Sequence, residues 1–200
     1  MGRSDNKHED ILCAAISEFG EKGMMATTME SIAVQAGVSK RTLYKHYPCK
    51  ENLLDDVVSL LLKRVEPLKN ITFNPHQPLL DQLRTIGEKT LHLICDEDYL
   101  RLSRIIIIES MRCEKAAKLL NQKFSDCEKQ LYNWFSQASE AGVLGNIEPG
   151  LAATLFYGAI KEAAYWDQVA QWKPMLDKAQ GKVLIDRICQ FFIDGVQQSE

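Results

Sequence analysis

The chain has no run of eighteen apolar residues, so no helix is expected to cross a bilayer. Its densest apolar run is the four isoleucines Ile105 to Ile108, closed off by Arg104 and Glu109. The N-terminus, MGRSDNKHED, is charged and has no apolar h-region, which argues against a signal peptide. The six cysteines (Cys13, Cys49, Cys95, Cys113, Cys127 and Cys189) include no C-x-x-C pair. Scattered in this way they fit thiols in a reducing cytoplasm better than a disulfide framework. Cys113 and Cys127 stand in or near one helix, about 20 Å apart along it, too far for a bridge. Burial as small apolar groups is therefore the simpler reading of them than redox sensing. Catalytic signatures are missing: no H-E-x-x-H, no glycine-rich phosphate loop, no G-x-S-x-G elbow. His8, His46, His76 and His92 lack metal-ligand spacing. No enzyme, metal or cofactor is expected. No alternating stretch of strand length occurs, and there are only six prolines. An all-α protein follows.

What is there is an uneven charge. The net charge is −3. Residues 1–50 hold seven Lys/Arg and six Asp/Glu, whereas the remaining 150 hold seventeen and twenty-one. Within VSKRTLYKHYPCKENL, residues 38–53, four basic residues precede the first acid, Glu51.

The helices around this stretch are legible. Ile11, Ala15 and Phe19, with Leu12 and Ile16, mark a first helix over 7–22, ended by Gly23. Thr27 with Glu30 three residues later reads as a capping box, so a second helix should start at Thr27 and end at Gly37. Ser39 should N-cap a third, with Val38 and Leu43 at hydrophobic-staple spacing. Two short helices around a glycine turn make a helix-turn-helix. Pro48 limits the third helix and suits the first turn of a fourth, about 50–65. The segment 67–78 reads as a linker. Five further helices are expected over 79–95, 98–110, 114–141, 149–171 and 181–197, about nine in all. Phe124, Leu131, Trp134 and Phe135 should face inward, and the Ile105–Ile108 helix should be buried all round.

On the third helix Leu43 and Tyr47 share one side, while Arg41 and Lys45 share the other. Thr42 and Tyr44 flank them, and Lys40 sits in the first turn. A basic face on a short helix is often only solvated. On the second helix of a capped helix-turn-helix, in an acidic protein, it is better read as a face for DNA. Arg and Lys donate to guanine O6 and N7, and Thr offers a hydroxyl and a methyl. The helix N-terminus at Ser39, with Tyr44 and Lys50, is placed for phosphates.

These residues carry a resemblance. TMESIAVQAGVSKRTLYKHYPCKENL resembles the DNA-binding head of the TetR family of bacterial transcriptional regulators, through Thr28, Ile32, Ala33, Ala36, Gly37, Val38, Ser39, Tyr44, Tyr47, Lys50, Glu51 and Leu53. Phe19 and Gly23 match the close of the family's first helix, so the likeness spans about residues 9–56. It implies a three-helix head over 1–50 and a ligand-binding and dimerisation domain over 51–200, with the fourth helix linking them. It implies a cytoplasmic homodimer on double-stranded operator DNA, released by a small-molecule effector, and no membrane. By position, Thr28, Tyr44 and Lys50 resemble phosphate contacts. Lys40, Arg41, Thr42 and Lys45 resemble the reading set, with His46 and Ser39 beside them. An activator of the same fold, or a helical binding protein that has lost DNA, are the alternatives.

Toward the C-terminus, small residues such as Ala152, Gly158 and Ala163 alternate with bulky ones, and the last helix has a wide apolar face. Leu151, Leu155, Ala159, Leu184, Ile188 and Phe192 are the candidates for a dimer interface. Candidates for an effector pocket are His92, Glu109, Arg112, Trp134, Tyr157, Lys161 and Trp166. The isoleucine run hints at an apolar or aromatic effector. Glu109 and Arg112, spaced i,i+3, could simply pair.

Overall fold

The structure is a computed structural model, and it describes residues 3–112 and 114–197. Among these, the elements are helices and the loops between them: α1 (Arg3–Ala26), α2 (Met29–Gln35), α3 (Lys40–His46), α4 (Lys50–Lys69), α5 (Leu79–Ile94), α6 (Glu97–Arg112), α7 (Glu114–Glu140), α8 (Pro149–Ile160), α9 (Trp166–Val169) and α10 (Lys178–Gln197). No helix among the described residues is long and apolar enough to cross a membrane. Cys113 lies outside the described residues. The chain divides into two compact units, one of Met1–Lys63 with Arg101–Asn121, the other of Arg64–Leu100 with Gln122–Glu200.

In the first unit, α1 buries Ile11, Ala15 and Phe19, α2 buries Ile32 and Ala33, α3 buries Leu43, and α4 buries Leu53, Val57, Val58 and Leu61. Gly23 interrupts α1 with φ 74 and ψ 158, a conformation open to glycine. The break leaves carbonyls to satisfy, and Thr27 does so: its Oγ1 donates to the carbonyls of Glu18 (3.1 Å) and Gly23 (2.9 Å). Thr27 is thus buried and cannot cap α2. The expected Thr27–Glu30 box is replaced by Thr28–Ser31. Thr28 Oγ1 accepts from the Ser31 N–H at 3.0 Å, and Ser31 Oγ accepts from the Thr28 N–H at 3.3 Å. Pro48 lies two residues ahead of α4 rather than in its first turn. The isoleucine run is not buried all round: Ile105 and Ile106 are core, but Ile108 is 57% exposed.

In the second unit, α4 continues through Pro67 to Lys69, so the linker starts three residues later than expected. Burial of Val65 and Leu68 accompanies this last turn and offsets the hydrogen bond Pro67 cannot make. The following loop is pinned by Gln82, which is buried. It accepts from the Asn74 N–H (2.9 Å) and donates to the carbonyls of Asn74 and Gln77, both 2.9 Å. On α7, Trp134 and Phe135 are core, while Phe124 and Leu131 are only half-buried. Phe135 centres an aromatic cluster with Trp134 (4.9 Å between ring centroids), Tyr157 (5.8 Å), Phe156 (5.9 Å) and Phe192 (6.1 Å). Gly87 lets α5 and α10 approach, since a Cβ there would meet Ile185 Cγ2 at 2.8 Å. Glu148 caps α8, its carboxylate accepting from the N–H groups of Gly150 (2.9 Å) and Leu151 (2.7 Å). The single helix expected over 149–171 is broken by a π-helical turn at Lys161–Tyr165.

Candidate nucleic-acid interface

The α2–α3 connection is built by local chemistry. Ala36 N–H donates to the Ile32 carbonyl at 2.9 Å, and the chain reverses at Gly37, whose φ is 63. Val38 N–H then returns to the Ala33 carbonyl at 3.0 Å. Ser39 Oγ accepts from the Thr42 N–H at 3.1 Å and lies 2.8 Å from Thr42 Oγ1, so α3 begins capped.

This start fixes the rotation of α3. Leu43 and Tyr47 are buried; Lys40, Arg41, Tyr44 and Lys45 are exposed. Among the described residues neither Arg41 nor Lys45 forms an ion pair. Lys40 reaches Glu30 at 3.2 Å on the surface, a contact worth little that DNA can displace. Thr42 is half-buried and engaged with Ser39. His46 is half-buried, its ring 6.4 Å from that of His8. Thr28 is exposed and caps α2.

Lys50 is placed differently from the others. Its ammonium donates to the carbonyls of Met24 (2.6 Å) and Thr27 (2.7 Å). It therefore closes the carbonyl end of α1, where a cation is favoured. Glu18 was missed in sequence. It is buried, and its carboxylate takes the Lys22 ammonium at 2.7 Å and the Ser31 hydroxyl at 2.5 Å. The Lys22 hydrogen bond, then that of Ser31, hold its carboxyl below the ordinary range against the cost of burial. The i,i+4 spacing of Glu18 and Lys22 was the available signal.

The effector candidates are divided between the two units. Glu109 and Arg112 belong to the first unit and pair at 2.9 Å, with Glu109 buried. The other five belong to the second. There His92, Lys161 and Trp166 are exposed, while Trp134 and Tyr157 both flank Phe135 in the core. The Trp134 indole N–H is buried without a hydrogen-bond partner, a costly state that a ligand acceptor would relieve. Burial, and then the nearby Tyr132, raise the Tyr157 phenol above its ordinary value. The Cys189 thiol is pushed up to about 11, chiefly by burial, as an inert core thiol would be.

Of the interface candidates, Leu155, Ala159, Ile188 and Phe192 line a groove of about 520 Å³ between α8 and α10, and Leu151 and Leu184 lie outside its lining. Leu151, Leu155 and Ala159 are exposed, and Leu184 and Ile188 half-buried. Phe192 instead turns into the aromatic cluster, and its neighbour Phe191 takes the outward place, 84% exposed.

Residues 11–57 match the family model of bacterial regulatory proteins, tetR family, and residues 81–195 match that of the AefR-like transcriptional repressor, C-terminal domain. The HTH-type transcriptional repressor KstR2 of Mycobacterium tuberculosis is 25% identical over 182 residues, covering 86% of this chain and 84% of its own. Among solved structures, a TetR family transcriptional regulator from Pseudomonas syringae pv. tomato superposes with a TM-score of 0.78 at 29% identity, over 95% of this chain and 96% of that one. The flavonoid-responsive regulator FrrA superposes with a TM-score of 0.72 at 28% identity, over 96% and 97%.

Proposed function

From the premise that this chain belongs to the TetR family of bacterial transcriptional regulators, and is a DNA-binding repressor of that family, we propose that it acts as a cytoplasmic homodimer on a near-palindromic operator. Residues 1–50 form the reading head and 51–200 the effector-binding and dimerisation part. The observation that carries this is the split of α3. Leu43 and Tyr47 are buried, which leaves Arg41, Tyr44 and Lys45 outward on a capped helix after a left-handed glycine turn. Arg41 and Lys45 reach base edges, with Lys40 and Thr42 beside them. Tyr44, Thr28 and the α3 N-terminus hold phosphates, which position but do not specify. His46 lies at the edge of this surface. Lys50 serves the head through the α1 carbonyls it binds.

One seven-residue helix reads only a few base pairs, so a second copy is needed, and two-fold symmetry makes the operator near-palindromic. The outward apolar face of α8 and α10 supports that second copy. Release then needs only a change in the spacing of the two heads, which must meet successive major grooves about 34 Å apart. An effector that favours the misfitted state by ~3 kcal/mol weakens binding by roughly a hundredfold. We infer an aromatic or apolar effector. The ring-lined surroundings of Trp134 and Tyr157 support this, as does the flavonoid response named for FrrA.

The test is selection of bound duplexes from a random library by the purified chain, with and without a panel of flavonoids and apolar acids. A two-fold-related motif is expected, with at least one compound reducing its capture. A motif without two-fold symmetry, or no motif from folded protein, would overturn the reading.

A further inference from the structure

We propose that Tyr47 is a positioning residue for sequence reading: its hydroxyl, held between Asp56 of α4 and His8 of α1, sets the tilt of α3 and so the reach of Arg41 and Lys45. The inference rests on α3 being the reading helix.

A helix of seven residues has little stability of its own and takes its orientation from what it packs on. Leu43 is fully buried, but apolar contact is non-directional and fixes depth better than tilt. The Ser39–Thr42 bonds lie within the start of α3 itself, and the Lys40–Glu30 pair is exposed. Tyr47 differs from all of these. It ends α3, its N–H donating to the Leu43 carbonyl at 2.8 Å, and its side chain is buried. Its hydroxyl donates to Asp56 Oδ2 at 2.6 Å, in the strong, charge-assisted class. The same oxygen lies 3.1 Å and 3.2 Å from the two ring nitrogens of His8. The His8 ring stacks on the Tyr47 ring, with centroids 5.4 Å apart and planes 20° apart, and lies 3.5 Å from Asp56. Burial, then the hydrogen bond and charge of Asp56, hold the phenol protonated, so it stays a donor.

One side chain thus ties the end of α3 to α4 by a directional bond and to α1 by the imidazole face stacked against its ring and hydroxyl. Arg41 lies six residues away, about 9 Å along the axis. A tilt of about 10° at Tyr47 moves it by about 1.6 Å, more than a hydrogen bond to a base edge tolerates. Phosphate contacts through long side chains absorb such a shift. The signature of this role is therefore a change in the ratio of specific to random binding, which a purely structural role leaves alone.

Tyr47→Phe in the full chain deletes only the hydroxyl. Affinity for the duplex enriched by the wild type should fall about tenfold, the size of one charge-assisted bond. Affinity for a random duplex of the same length should stay within about twofold. Asp56→Leu should reproduce this, Asp56→Asn, which keeps an acceptor, should recover most of it, and the Tyr47→Phe/Asp56→Leu pair should be no weaker than either alone. His8→Ala, at a half-exposed site, should shift the ratio in the same direction by less. A lower melting temperature with an unchanged ratio, or equal losses on both duplexes, would overturn the proposal. A wild type that prefers no sequence removes the premise and the inference with it.

Discussion

Phe191→Asp should turn the proposed dimer into monomers without unfolding the chain. In the single chain Phe191 is 84% exposed, so it contributes little to the fold. Fully burying a phenylalanine is worth about 1.5–3 kcal/mol. A two-fold interface contains the residue twice, so the substitution removes about 3–6 kcal/mol from association. Desolvation of two carboxylates adds to the loss. The dimer dissociation constant should then rise by at least about a hundredfold. Sedimentation equilibrium over a range of concentrations reads this directly, and circular dichroism should still show a helical chain. Operator binding should fail at concentrations where the wild type is saturated, because a monomer reads one half-site. The neighbouring residue is the control. Phe192 sits in the aromatic cluster with Phe135 and Phe156, so Phe192→Ala should cost about 3–5 kcal/mol of folding stability. A Phe191→Asp chain that stays dimeric at nanomolar concentration and binds operator normally would refute the assignment of this face.

Arg41→Ala should weaken operator binding by about 1–3 kcal/mol if Arg41 makes a bidentate base contact. Equal losses on operator and random DNA in a binding titration would reassign it to phosphate. Gly37→Val places a β-branched residue at φ 63, where its Cβ would meet nothing within 4 Å. The cost is then backbone strain alone, about 1–2 kcal/mol, or a fall of about 2–8 °C in melting temperature; an unchanged melting temperature would show that the turn does not need the left-handed conformation. Glu18→Gln tests the pair with Lys22. The native carboxyl is held below its ordinary value, so its stabilisation is present above the unfolded value near about 4.3 and is lost as pH falls through the lower native one. The melting-temperature gap between wild type and variant should be constant from about pH 6 to 8 and shrink as pH falls below the unfolded value near about 4.3; a gap that does not shrink on acidification would refute it.

The parts legible in sequence are those decided by neighbours in the chain. Ser39, Gly37 and the Leu43–Tyr47 side of α3 follow from capping, positive φ and helical period, each a matter of four residues or fewer. Misreadings occur where a distant group decides. Thr27–Glu30 and Thr28–Ser31 both have cap spacing, and what selects the second is the break at Gly23, whose carbonyl claims Thr27. The wide apolar face of α10 does not say which of Phe191 and Phe192 turns inward; the Phe135–Phe156 pair from other helices settles it. Helical period turns Tyr47 inward as an apolar ring, yet its polar end depends on His8 and Asp56, one on each flanking helix.

The charge distribution connects these local devices to repression. The last 150 residues carry four more acids than bases, and such a surface is repelled by a phosphate backbone. On α3 the exposed basic residues are Lys40, Arg41 and Lys45. A protein with few phosphate contacts has weak non-specific affinity and a shallow salt dependence. What a repressor needs is a high ratio of operator to random binding, because competing sites vastly outnumber the operator. An acidic body lowers the denominator of that ratio, and a reading helix held at a fixed tilt raises the numerator. The acidic composition, which taken by itself argues against DNA, is part of how few contacts suffice.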